Sequence, residues 1–184
     1  MMIFPFKTEK AIQAIGVLFR RDGVKRMSYM RLLKLLYVAD REAIMETDRA
    51  IIGGSVVAME RGPVLENVYE LIRGQHAEMP LWDKHFKKDR YSLELVEDPD
   101  VKKLSKYEIQ KLQEISKRFE NADEWELSKL THGFHEWEKN NPGASSKPIC
   151  IEDILEGVGR ADATQDILQE VRHLSRIRHE LGIK

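Results

Sequence analysis

The sequence contains only one cysteine, so it excludes an internal disulfide framework and suits a reducing compartment. It has no run of 18 apolar residues, and we therefore predict no membrane-spanning helix. The first residues, Met1–Phe6, lack both the basic start and the apolar length of a signal peptide. Together these absences predict a cytoplasmic globular protein with no membrane partner.

The sequence also lacks an excess of either charge, since 30 Lys and Arg residues face 31 Asp and Glu residues. A net charge of −1 argues against a protein that attracts nucleic acid through its overall field. Residues 1–34 nevertheless carry a local net charge of +6, and the remainder carries −7. We interpret this segment either as solvated helix faces or as a docking surface for an acidic protein or nucleic acid.

Helical periodicity dominates the first 47 residues. Thr8 is a candidate N-cap for a first helix, which the pair Asp22-Gly23 should end. Ser28 is the candidate N-cap of a second helix that runs to about Thr47. Both helices carry an apolar stripe that should face a core, formed by Ile12, Ile15, Leu18 and Phe19 in the first and by Leu32, Leu35, Leu36, Ala39 and Ala43 in the second.

The middle of the chain mixes short extended segments with helices. Residues 51–59 favour a strand or extended pair, and Pro63 should start a helix that carries Val64 and Leu65 and ends at Gly74. Residues 85–96 predict a hairpin, and Ser105 with Glu108 forms a capping box for a further helix.

The C-terminal part is expected to be helical around one loop. A helix should run to about His132, and residues 140–148 are expected to form a surface loop. A short helix at residues 152–156 and a last helix, Thr164–Leu181, follow. The predicted fold class is mainly α: a single helical domain with a small β hairpin or sheet and a C-terminal helical extension.

No group of residues predicts catalysis. His132 and His135 lie three apart, but a closed zinc site needs two further ligands that the pattern does not supply. Cys150 lies between two isoleucines and reads as a buried structural thiol. Because nucleophile elbows and phosphate-binding glycine loops are also missing, we expect no enzyme activity, no cofactor and no metal. A hydrolase that uses His132 remains an alternative.

A helix, a break and a second helix across residues 7–34 superficially resemble a helix-turn-helix motif. The second helix, however, is crowded with leucines and offers only Arg31 and Arg41 to read base edges. A DNA-binding regulator that uses residues 7–34 is therefore an alternative, and direct nucleic-acid binding is not the expected activity.

Three stretches in order resemble the Panacea domain, also called the SocA-like or phage-associated antitoxin domain. They are a Leu-Leu-Lys-Leu-Leu-Tyr helix at residues 32–37, a Gly-Pro-Val turn at residues 62–64 leading to Tyr69, and a Leu-Ser, Thr-His and Trp segment at residues 127–137. The resemblance covers residues 28–137. It leaves a basic N-terminal helix at 1–27 that should pack on the domain, and a loop with a helical extension at 138–184.

The resemblance implies an antitoxin of a bacterial or prophage toxin–antitoxin pair, which neutralises a cognate protein toxin by direct binding. An adaptor that delivers a toxin to a protease is an alternative within the same family. Many family members have an aromatic residue just ahead of the Gly-Pro-Val turn, where this chain has Met59-Glu60-Arg61. The surface beside the turn is therefore expected to differ from that of other members.

Eight residues are candidates for partner binding. Arg61 and Tyr69 belong to the Gly-Pro-Val segment, and we expect Arg61 to pair with Asp40. His132 is expected to cap the end of its helix, with partner binding as the second interpretation. The last helix has an apolar stripe that either packs on the domain or lies in a groove of the partner, formed by Ile167, Val171, Leu174, Ile177 and Leu181.

Overall fold

The computed structural model describes residues 2–182, apart from the side chains of residues 178 and 179. The predicted N-terminal and C-terminal segments also include Met1 and residues 183–184, which lie outside the described residues. The fold is mainly α with small sheets, as predicted. The described helices are α1 (Thr8–Asp22), α2 (Tyr29–Thr47), α3 (Glu66–Arg73), α4 (Met79–Trp82), α5 (Lys106–Arg118), α6 (Glu124–His132), α7 (His135–Lys139), α8 (Ile151–Gly157) and α9 (Thr164–Glu180), and a 3-10 turn at Ala161–Ala163 precedes α9.

Six short strands form two antiparallel sheets of three strands each in the described chain. The strands are β1 (Arg26–Ser28), β2 (Val56–Met59), β3 (Gly62–Leu65), β4 (Phe86–Asp89), β5 (Ser92–Leu95) and β6 (Lys147–Ile149). The first sheet has the order β1-β5-β4 and includes the predicted hairpin. The second has the order β3-β2-β6, so that β3 and β6 are both edge strands.

Helix α2 lies at the centre because its residues are apolar on most sides. It packs against α1, α5 and α6, and Leu32, Leu35 and Leu36 are fully buried. Ser28 is its N-cap, as predicted, and accepts a hydrogen bond from the amide of Arg31 at 3.4 Å. The capping box of Ser105 is also confirmed at the start of α5.

The predicted N-cap of α1 is wrong. Lys7 occupies the N-cap position and Thr8 is the first helical residue. The side chain of Thr8 is buried and its hydroxyl donates to the carboxylate of Glu78 instead of capping its own helix. A long-range partner has therefore replaced the local hydrogen bond that the sequence suggested.

The predicted helix at Pro63 is also wrong. Gly62–Leu65 is strand β3, and α3 begins only at Glu66. Pro63 pairs with Ala58 of β2 in an edge strand, where a residue without an amide hydrogen is tolerated. The end of α3 at Gly74 is as predicted.

The segment after residue 138 is tied to the rest by strand pairing and by a buried ionic group. The expected loop at 140–148 is too long, because Lys147–Ile149 forms β6 beside β2. Glu136 is fully buried and accepts hydrogen bonds at 2.7 Å from both Tyr37 and Arg41. Arg41 also donates to the carbonyl of Gly157 at 2.8 Å, which joins α2, α7 and α8.

Candidate functional site

A cavity of about 590 Å³ opens beside the first turns of α2. We call it the aromatic cavity because Tyr29, Tyr69, Tyr91 and Trp125 line it. The other lining residues come from α2, the β2–β3 turn, the start of β3 and the start of α6, and they are Ser28, Met30, Leu33, Lys34, Met59, Glu60, Arg61, Gly62, Val64 and Glu124.

Side chains from three helices hold the β2–β3 turn, which forms one wall of the aromatic cavity. Lys34 donates from Nζ to the carbonyl of Pro63 at 2.9 Å. Ser128 donates from its hydroxyl to the carbonyl of Arg61 at 2.8 Å, and Trp137 donates from its indole nitrogen to the carbonyl of Met59 at 2.9 Å. Because these bonds occupy carbonyls on both sides of the turn, they fix its backbone and direct Glu60 and Arg61 outward.

Gly62 brings this turn very close to α2 and α6. Its φ of +99° lies in the region that favours glycine, and a Cβ there would lie 2.5 Å from Oγ1 of Thr131 and 2.8 Å from Nζ of Lys34. A side chain of any size would therefore push the turn away from the lysine. The glycine is needed for close approach as well as for its backbone angle.

Lys34 is the most unusual group of the cavity, since only 1% of the residue is exposed. The carbonyl of Pro63 is the one hydrogen-bond acceptor found for its ammonium group among the described residues, and none of the described carboxylates lies within ion-pair distance. Burial lowers the pKa of Lys34 to about 7. The fold thus holds a buried amine for which the described part of the chain supplies no counterion.

His132 lies behind the same turn. Its ring stacks on Trp137 with the ring centroids 4.1 Å apart, and a hydrogen-bond partner is missing for its buried Nε2 in the described structure. Burial lowers the pKa of His132, and the nearby Lys34 acts in the same direction. The ring stacks on Trp137, and neither of its nitrogens donates to a carbonyl of α6 in the described structure, so the expected role as a helix cap is wrong.

The mouth of the aromatic cavity combines aromatic rings with cations. The guanidinium of Arg61 lies 4.7 Å from the ring centroid of Trp125, and that of Arg73 lies 5.4 Å from the ring of Tyr69. Lys88 lies 5.4 Å from the ring of Tyr29. Each cation is held over a π-face of a ring that lines the cavity. Arg61 also lines the cavity itself, whereas Arg73 and Lys88 line a second groove.

The comparisons with known proteins identify the domain around this cavity. A family model described as antitoxin SocA-like, Panacea domain, matches residues 32–138. The chain belongs to this family. The searches of curated proteins and of solved structures gave no match.

The Panacea motifs meet at the β2–β3 turn. Lys34 comes from the first motif, Gly62 and Pro63 come from the second, and Ser128 and Trp137 come from the third. The motif residues therefore support the turn, whereas Glu60 and Arg61 are its exposed residues.

Two of the predicted partner-binding residues, Arg61 and Tyr69, line the aromatic cavity together. The expected pairing of Arg61 with Asp40 is wrong. Asp40 is buried and accepts hydrogen bonds at 2.8 Å from the amides of Ile52 and Gly53, while Arg61 lies over Trp125. Burial raises the pKa of Asp40 to about 7, although those amides act in the opposite direction.

The predicted apolar stripe of α9 lies away from the aromatic cavity, and its residues are partly buried and partly exposed. Ile167 and Val171 are buried beside a groove that Phe4 and Ile51 also line. Leu174 and Leu181 are 40% and 66% exposed, and Ile177 is half-buried. The first half of the stripe packs on the protein, and its second half reaches solvent.

The basic N-terminal segment is largely paired within the molecule. Lys10 contacts Glu108 at 2.5 Å and Arg21 contacts Glu120 at 3.0 Å. Further ion pairs join Arg20 to Asp98 and Arg26 to Asp89, whereas Arg31 pairs with Asp22 inside the segment. Much of the +6 charge of residues 1–34 is thus opposed by acidic residues of the same chain, which leaves less of it for an acidic partner.

The structure also describes Cys150 and the potential metal ligands that the sequence offered. Cys150 is half-buried rather than fully buried, and burial raises the pKa of its thiol. No group of three or more potential metal ligands is found among residues 2–182. Within the same residues, no helix combines the length and apolar character that crossing a bilayer requires.

Sequence reasoning missed four residues of the aromatic cavity: Tyr29, Lys34, Tyr91 and Trp125. One signal was present in the sequence. Lys34 interrupts a run of apolar residues on a helix that should be buried on most sides, which makes a lysine there unusual. The aromatic residues lie far apart in the chain, so only the fold brings them together.

Proposed function

We propose that this Panacea protein is an antitoxin that neutralises its cognate toxin by direct, stoichiometric binding through the aromatic cavity and its mouth. The observation that carries the proposal is the exposed aromatic surface: Tyr91 is 78% exposed and Trp125 is 56% exposed. Tyrosine, tryptophan and arginine are the residue types that most often dominate binding energy at protein interfaces. Membership of an antitoxin family supports a toxin as the partner.

Occlusion requires a rigid surface and no chemical step. The wall of the cavity is held by side-chain hydrogen bonds to three turn carbonyls, so little conformational entropy would be lost when a partner binds. Arg61 is already placed over Trp125, which presents a flat cation and a flat ring together. A toxin that covers this surface would lose access to its own substrate.

Co-expression tests the proposal. The product of the adjacent open reading frame should be toxic alone, harmless with this chain, and recovered with it as a complex of defined stoichiometry. Trp125→Ala should weaken that complex by about 30-fold or more. Leu130→Ala is the matched control, because Leu130 is exposed on the same helix and does not line the cavity.

Two results would refute the proposal: a neighbour that neither kills nor binds, or a folded Trp125→Ala protein with unchanged affinity. Neutralisation that persists without a stable complex would instead favour the protease adaptor. The exposed end of α9, with Leu174 and Leu181, is a surface separate from the cavity that such an adaptor would need. Steeply salt-dependent binding of duplex DNA would favour the DNA-binding regulator.

A further inference from the structure

Among the residues that the structure describes, the neighbours of Lys34 supply no counterion for its charge. Its own helix places Tyr29 nearby, and the β2–β3 turn supplies the carbonyl of Pro63. Helix α6 contributes two neutral side chains, Thr131 and His132, that surround Gly62 together with the ammonium group. The ammonium group has three N–H donors, and the described structure gives it one acceptor.

A buried cation without a partner is unfavourable for folding, and the carbonyl of Pro63 compensates only part of the lost hydration. Lys34 also lines the aromatic cavity, so an anion that enters the cavity can reach the same pocket of low dielectric constant. There the anion would complete the hydrogen bonds that the protein itself leaves unmade.

We propose that an aspartate or glutamate side chain of the toxin enters the aromatic cavity and binds the ammonium group of Lys34. This inference rests on the proposed function and specifies the chemistry of the partner. It makes Lys34 the central contact of the interface, with the aromatic residues at the mouth enclosing it and excluding water.

Charges at the mouth favour an acidic partner and limit its charge. Arg61 lines the cavity over Trp125, and Arg73 and Lys88 lie over the rings of Tyr69 and Tyr29, which line it. Glu60 and Glu124 also line the cavity and repel a multiply charged anion. One carboxylate on an otherwise apolar segment matches one ammonium group, whereas a phosphate dianion would meet two carboxylates on its way in.

The contact couples binding to protonation. Because burial lowers the pKa of Lys34 to about 7, the free protein is mostly deprotonated at this group at pH 8. A bound carboxylate favours the charged ammonium form, so the complex takes up a proton. The other ionisable groups that face the cavity are Glu60, Arg61, Glu124 and three tyrosines. Arg73 and Lys88 lie over two of those tyrosine rings, and His132 lies behind the turn, where burial lowers its pKa.

The first experiment compares the affinity of wild type and Lys34→Met for the product of the adjacent open reading frame. Methionine keeps the apolar stem of the lysine and removes its charge. We expect affinity to fall by about 100-fold, the loss typical of a buried charge pair that loses one member. Lys25→Met is the control, because it removes one exposed lysine of the same basic segment and should leave affinity unchanged.

The second experiment measures proton uptake by calorimetry at pH 8 in two buffers of different ionisation enthalpy. Wild type should take up close to one proton on forming the complex, and Lys34→Met should take up none. Wild-type affinity should also fall by about tenfold between pH 8 and pH 9. If the variant does not fold, the wild-type measurement alone decides, since uptake near zero overturns the inference.

The outcomes separate this inference from the proposed function. If wild type does not bind the product of the adjacent open reading frame, both the proposed function and the role of Lys34 are refuted. If wild type and folded Lys34→Met bind it equally, only the role of Lys34 is refuted. If toxin affinity is equal but wild type alone binds inorganic phosphate, the cavity is a site for small anions and the inference is overturned.

Discussion

Lys34 and Lys111 are both buried lysines, one on α2 and one packed against it, and their surroundings differ in charge. Lys111, on α5, is 5% exposed and contacts Glu46 at 2.7 Å, Glu114 at 3.2 Å and Glu42 at 3.3 Å. Burial lowers the pKa of Lys111, but these carboxylates more than reverse the effect and its pKa lies above the ordinary value. Lys34 lies nearer the start of α2. Its ammonium group donates to the carbonyl of Pro63, and burial lowers its pKa to about 7.

The difference separates a lysine whose charge is balanced within the protein from one whose counterion a partner can supply. The ion cluster around Lys111 joins α5 to α2, and Arg118 extends it by contacting Glu42 and Glu114. The surroundings of Lys34 open into a cavity with exposed aromatic residues. Burial alone therefore does not distinguish the two roles; the presence of a counterion within the same chain does.

The largest expected effect comes from removing the structural lysine. Lys111→Met leaves three carboxylates close together without their shared cation and should lower the free energy of unfolding by about 3 kcal/mol. Lys34→Met should change it by less than about 1 kcal/mol, because it removes an unpaired buried charge along with one hydrogen bond. Urea denaturation at pH 7 measures both, and equal losses would contradict the comparison.

The close approach of the β2–β3 turn gives the next effect. Gly62→Ala should lower the free energy of unfolding by about 2 kcal/mol. Alanine is strained at the positive φ of this residue, and its methyl group would lie too close to Thr131 and Lys34. Gly74→Ala is the control: Gly74 also has a positive φ, of +72°, but nothing lies within 4 Å of an added Cβ. Thermal unfolding should show the larger loss for Gly62→Ala, and similar losses would mean that backbone strain alone matters.

Alkaline pH should reveal the lowered pKa of Lys34. Between pH 7 and pH 8 the unfolded chain keeps the lysine proton while the folded protein releases it, so stability should rise with pH by about 1 kcal/mol. The rise is measured as the difference between wild type and Lys34→Met, in which the other groups cancel. Lys111 should contribute no such change, because its pKa is raised.

The smallest effects are expected far from both lysines. Leu174→Asp on α9 and Leu181→Asp just after it change exposed positions and should each alter stability by less than about 0.5 kcal/mol. Toxin affinity should also be unchanged if the aromatic cavity is the docking surface. A folded variant with much weaker toxin affinity would indicate that the toxin binds near the end of α9 and not at the aromatic cavity.

Periodicity predicted the helices well because their burial follows from local spacing. The stripes of α1 and α2 are buried as expected, and the capping box of Ser105 needs only residues three apart. Pro63 and Pro148 were misread because both lie in edge strands beside β2, and those pairings are formed with residues distant in sequence. A proline is compatible with a turn, a helix start or a sheet edge, and only the partner strand decides.

The candidate site was predicted only in part. Arg61 and Tyr69 were predicted from the Panacea motif. Tyr91 lies in the turn of the β4–β5 hairpin and Trp125 in the first turn of α6, and neither belongs to a motif that the sequence analysis used. Their convergence depends on long-range contacts, such as the hydrogen bond at 3.0 Å from the amide of Tyr29 to the carbonyl of Tyr91. Local patterns carry no information about such a contact.

The hydrogen bond from Lys34 to Pro63 also restricts how a partner can use the sheet. Proline has no amide hydrogen to offer, and the carbonyl of Pro63 already accepts from Lys34. A strand added along the outer edge of β3 would find no donor at this residue, and the carbonyl it meets already accepts from Lys34. The β3-β2-β6 sheet is therefore closed to strand addition at Pro63, and recognition at this edge depends on side chains.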